Sequence, residues 1–92
     1  MMKTRRLGKT GLQVSEIGFG GEWLERHPEE EGIELIRYAS SKGINILDCW
    51  MADPTSRDVI GKGIHENRSE WLIQGHIGST WKEGQYYRTR DM

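Results

Sequence analysis

The chain has 92 residues, 35% of them apolar, and 13 basic against 14 acidic side chains leave a net charge of −1. The apolar share is below the usual ~45–50% (a count that includes glycine), so the core is thin for the length, and the charge balance supplies no field to draw nucleic acid or an anionic membrane. The lone cysteine excludes an intramolecular disulfide and fits a reducing, cytoplasmic setting, while the basic N-terminus lacks the apolar run of a secretory signal and no stretch is long enough to span a membrane.

In chain order, "RRLGKTGLQV" holds two short runs, Arg5–Leu7 and Leu12–Val14, separated by a glycine-bounded connection, and this predicts a β-hairpin over residues 1–14. Its basic side chains, Lys3, Arg5, Arg6 and Lys9, read as a solvated hairpin face. "SEIGFGG" follows as the first strand of a larger sheet, with Ile17 and Phe19 on one face and Gly18, Gly20 and Gly21 permitting bends or close approach. "HPEEEGIELIRYASSKG" predicts a helix near 28–42. Pro28 suits a first helical position, three glutamates favour the positive end of the dipole, Gly32, Leu35, Ile36 and Ala39 form the buried stripe, and Gly43 caps the C-terminus.

"INILD" is a nearly continuous apolar run, as a strand covered on both faces requires. Thr55 and Asp58 predict a capping-box start to a second helix near 55–66, with Val59, Ile60, Gly63 and Ile64 facing inward. "EWLIQGHIG" gives a third strand, and residues 79–92, polar and aromatic without period, read as a loop-like tail. Strands alternating with helices of this length imply right-handed βαβ units and a parallel sheet, so residues 1–92 read as one α/β unit: a hairpin, then β-α-β-α-β over 15–78, then the tail.

Three stretches, "RRLGKTGLQVSEIGFGG", "IELIRYASSKGINILD" and "SRDVIGKGI", resemble in the right order the N-terminal portion of the aldo-keto reductases. The resemblance implies part of a (β/α)8 TIM barrel, a fold of roughly 250 residues of which this chain would supply the opening hairpin and three strands. It also implies NADP(H)-dependent carbonyl reduction for a full-length parent, in which a tyrosine donates a proton beside a lysine that makes the phenol a better acid. The family's strand-end aspartate falls on Asp48. Its tyrosine position carries Asp53, its lysine position falls on Gly75–His76, and its histidine lies beyond Met92. Gly20 and Gly21 correspond to the loop bordering the nicotinamide, and Trp23 and Trp50 to the substrate rim. With two of these roles substituted and the dinucleotide wall absent, no cofactor is expected on this chain alone.

Asp48 and His76 can be read as a divergent acid–base pair with Cys49 nearby as a nucleophile, or as two polar groups satisfying each other at a partial barrel mouth. The second reading is favoured, because catalysis needs a pocket with more wall than three strands provide. Cys49 on its own reads as a small buried hydrophobe. Cys49, Asp48, Asp53 and His76 match no zinc-ligand spacing, and no metal is expected. His27 and His65 read as surface groups. Three parallel strands leave two open edges and a bare face, so the expected partners are further copies of the chain or the remainder of a barrel, with Trp71 and Trp81 as interface anchors.

Overall fold

The computed structural model describes residues 2–22, 24–49, 54–76 and 79–88. It opens with the expected antiparallel hairpin, β1 (Thr4–Arg6) and β2 (Gln13–Ser15), in the register Thr4↔Ser15 to Arg6↔Gln13. β3 (Phe19–Gly20) is far shorter than the strand expected over 15–21. After a 3-10 turn at Leu24–Arg26 comes α1 (Glu29–Ser41), then β4 (Ile46–Cys49), α2 (Pro54–Ile64), a 3-10 segment (His65–Glu70) and β5 (Leu72–Gly75). The main sheet is parallel with order β3-β4-β5, as the alternation of strands and helices predicts.

Local chemistry accounts for most of the boundaries. Pro28 caps α1 from just outside rather than opening it, with extended backbone (φ −56°, ψ 142°). At the other end Gly43, at φ +90°, closes a Schellman motif: its N–H donates to Ser40 O and the Ile44 N–H to Ala39 O. α2 starts one residue before the expected point, at Pro54, so Thr55 is a first-turn residue and not the cap.

The core is one layer between the sheet and its two helices, made by Leu24, Ile36, Ala39, Leu47, Cys49, Val59, Ile60, Ile64 and Trp71. Two glycines let the helices meet. A Cβ on Gly32 would lie 2.8 Å from Val59 Cγ1, and one on Gly63 2.9 Å from Ile36 Cδ1. Ser40 and Asn67 complete the seam with a 2.9 Å hydrogen bond from Asn67 Nδ2 to Ser40 Oγ. Leu35, expected in the buried stripe, is exposed. The stripe that is buried runs Gly32–Ile36–Ala39, and Leu35 falls on the flank of α1 turned away from α2.

Two further expectations are corrected. Trp71 is only 2% exposed and belongs to the core, so it cannot anchor an interface; it lies just before β5, and its indole N–H has no hydrogen-bond partner among the described residues. Within the stretch read as loop, β6 (Ser79–Lys82) and β7 (Gln85–Arg88) form a second antiparallel hairpin. Its two-residue turn is Glu83–Gly84, both at positive φ (50° and 75°), the backbone a type I′ turn demands. The side chain of Trp81 lies outside the described residues.

A polar clamp fixes the first hairpin under the main sheet. Asn45 Oδ1 accepts from the Ser15 N–H (2.8 Å), Asn45 Nδ2 donates to Gln13 O (2.8 Å), and the Asn45 N–H donates to Ser15 Oγ (3.1 Å). The Asn45 carbonyl accepts from the Leu72 N–H (2.7 Å). One residue thus ties β2, β4 and β5 at the amino end of the strands. No helix among the described residues is long and apolar enough to cross a membrane.

Candidate active site

At the carboxyl end of the sheet, strand register decides which side chains meet. Asp48 in β4 is paired with Gly20 in β3 and with Gln74 in β5. Side chains alternate along a strand, so His76, two residues beyond Gln74, returns to the face that carries Asp48. The two groups meet with Nε2 to Oδ1 at 2.6 Å. Nε2 is the ring nitrogen that faces the carboxylate, and an N–H there donates to Oδ1. The side chains are 42% and 37% exposed, so as an ion pair they stabilise the fold by only about 0–1 kcal/mol. The expected carboxylate–imidazole pair is therefore formed, on the face of the sheet opposite the helices.

Cys49 does not join it. It follows Asp48, points to the other face and is buried in the core under the helices. Burial pushes its thiol above the ordinary range; nearby Arg57 opposes this and the Asp48 charge adds to it. A buried, protonated thiol is a packing group and a poor nucleophile. Among the described residues, no three His, Cys, Asp or Glu side chains converge as metal ligands would.

The two glycines of the rim behave differently. A Cβ on Gly21 would lie 2.8 Å from Asp48 O and 2.9 Å from Ile60 Cδ1, and the Gly21 N–H donates to that same carbonyl at 2.9 Å, so close packing of β3 against β4 and α2 accounts for it. A Cβ on Gly20, which is paired with Asp48, would meet nothing within 4 Å among the described residues. Asp53, Trp23 and Trp50, the remaining expected site residues, lie outside the described residues. His27 and His65 are exposed, as expected of surface groups. Gln74 was not singled out in the sequence, although its place two residues before His76 sets it on the same face.

A shallow concavity continues from Asp48 down the open face of the sheet, lined by Glu16, Phe19, Gly20, Ile46, Asp48 and Gln74 among others. Its described lining has two carboxylates and no lysine or arginine. A dinucleotide needs cations or a cradle of backbone N–H groups for its phosphates. The space at Gly21 is already filled by this chain's own atoms. The described residues thus do not fit NADP(H) by themselves.

No family model matches the chain. Individual proteins do. It is 32% identical over 92 residues to L-galactose dehydrogenase of Arabidopsis thaliana, an alignment covering 90% of this chain and 28% of that protein. It is 29% identical over 96 residues to aldo-keto reductase YhdN of Bacillus subtilis, covering 95% of this chain and 29% of the relative. A solved structure from Pseudomonas aeruginosa assigned to the aldo-keto reductases superposes with a TM-score of 0.77 at 31% identity, over 92% of this chain and 34% of the other. The chain therefore spans about a third or less of the length of the relatives it matches.

Proposed function

From a chain that corresponds in sequence and in fold to the N-terminal portion of the aldo-keto reductases, we propose that it furnishes the first three strands, and one polar corner, of an oxidoreductase barrel acting on carbonyl or alcohol groups, and that it is catalytically incomplete alone. The observation that carries this reading is the 2.6 Å contact between Asp48 and His76 at the strand ends, where barrel chemistry is placed. Within a closed barrel Asp48 holds the imidazole by its Nε2–H, and Nδ1 is left to exchange a proton with a substrate oxygen. Full-length relatives imply NADP(H) as the redox partner. The described residues make no phosphate cradle for it. A cytoplasmic setting goes with this reading, in keeping with the single reduced thiol.

NADPH titrated into the isolated chain and followed by tryptophan fluorescence should give no saturable change. Saturable binding at low micromolar NADPH would overturn the incomplete-barrel reading.

The open sheet favours a second reading from another class: a non-catalytic protein that acts by association. β3 and β5 each pair on one side only among the described residues, and Ile17, Leu35, Tyr38 and Ile73 are exposed. Either the rest of a barrel or further copies would cover them.

A further inference from the structure

The concavity that runs from Asp48 has its carboxylates engaged, and its described lining holds no lysine or arginine. Asp48 meets His76, and Glu16 lies 3.4 Å from Arg5 Nε. Arg57, whose charge acts on the buried Cys49, belongs to α2 on the helix side of the sheet. The open side of the corner therefore has an imidazole and an amide, Gln74, but no permanent positive charge among the described lining residues.

β6 and β7 decide where the cations that follow come to lie. β6 begins at Ser79, three residues after His76, so the two Cα atoms are at most about 11 Å apart whatever path joins them. The turn at Glu83–Gly84 then reverses the chain, and the register sets Arg88 opposite Ser79, about 4.5–5.5 Å across the ladder. Arg88 is thus held within about 16 Å of His76, Cα to Cα, whereas an unreversed chain could carry it about 40 Å away. Lys82 is placed the other way. It flanks the turn, roughly 10 Å further along the hairpin from Ser79. No other strand pairs with this hairpin among the described residues, so sheet pairing does not account for the return of the chain towards the strand ends.

We propose that the β6–β7 hairpin delivers Arg88 to the mouth of the Asp48–His76 corner, where it binds an oxyanion, a carboxylate or a phosphate, carried by the substrate. A guanidinium suits that task because its planar fork of donors pairs with two oxygens at once. The anion is held at the hairpin base, and the carbonyl or hydroxyl end of the same molecule meets His76. A single arginine falls short of the cradle that a dinucleotide's phosphates need. The proposal rests on the barrel reading above and narrows its substrates to carbonyl or alcohol compounds that bear an anionic group.

The experiment titrates the whole chain with pyruvate and, separately, with inorganic phosphate, at fixed pH and with ionic strength held constant by chloride. Nuclear magnetic resonance follows the His76 ring protons and the backbone amides of His76 and Arg88. At least one of the two anions should give a saturable shift at roughly millimolar concentration, the strength of one bidentate pair. Pyruvate alone would mark a carboxylate substrate, phosphate alone a phosphate ester, and both an oxyanion site of either kind. Arg88→Gln should weaken the binding about tenfold or more, and Arg88→Lys, which keeps the charge and loses the fork, should fall between. Lys82→Gln should bind as the wild type does, and circular dichroism checks that each variant keeps its fold. Failure of both anions to saturate, an Arg88→Gln chain that titrates like the wild type, or an equal loss in Lys82→Gln would overturn the proposal. The readout is anion binding and not turnover, so it fails separately from the barrel reading, which falls on saturable NADPH binding at low micromolar concentration.

Discussion

At the scale of single residues, Asp48 and Cys49 are neighbours with opposite fates, and the alternation of a strand decides between them. Asp48 looks into the open face and finds His76. Cys49 looks into the core. Iodoacetamide should accordingly label Cys49 slowly in the native chain and fast in urea; rapid native labelling would contradict its burial. The thiol also sets a pH dependence. Its value is raised on folding, so the unfolded chain gives up the proton first as pH climbs. Its contribution is full below the range of a free thiol, about 8.5, and declines as pH rises from there towards the folded value. In Cys49→Ala, unfolding measured by urea from pH 7 to 10 should show a shallower alkaline loss than the wild type. The Asp48–His76 pair was legible in the sequence because both residues fall at the carboxyl ends of segments that read as parallel strands. The clamp around Asn45 was not, since an asparagine inside "GINILD" gives no sign that its partners lie in a hairpin thirty positions away.

At the scale of elements, two glycines of α2 two residues apart separate helix propensity from packing. Gly61→Ala adds a methyl in open space and should stabilise the dilute chain by about 0.5–1 kcal/mol. Gly63→Ala drives a methyl into Ile36 and should destabilise it by about 1–3 kcal/mol. Thermal unfolding of the two variants reads the signs directly, and equal signs would mean that the α1–α2 seam is not packed as described. The same contrast marks how far pattern reading reaches. Both helices were visible in their periodicity, yet the stripe was placed to include Leu35, because spacing alone does not say which flank meets the neighbouring helix. The β6–β7 hairpin was missed for another reason. Its strands do not alternate apolar and polar residues, and its one local signal is the Glu83–Gly84 turn.

For the whole molecule, the radius of gyration of 14.1 Å exceeds the ~12 Å of a compact domain of this length, and the slab is only 19 Å along its shortest axis. Those are the dimensions of a sheet with helices on one side and, among the described residues, an open face on the other. The parallel order β3-β4-β5 could be read in advance because strand–helix–strand connections permit few alternatives. The central claim is that this chain folds as the first three parallel strands of a barrel, with Asp48 and His76 brought together at their carboxyl ends. Nuclear Overhauser contacts between backbone protons test it most directly. The account predicts parallel-register contacts linking Phe19 with Leu47 and Leu47 with Ile73, together with contacts from the His76 ring to Asp48; an antiparallel pattern between these segments, or a His76 ring remote from Asp48, would contradict it.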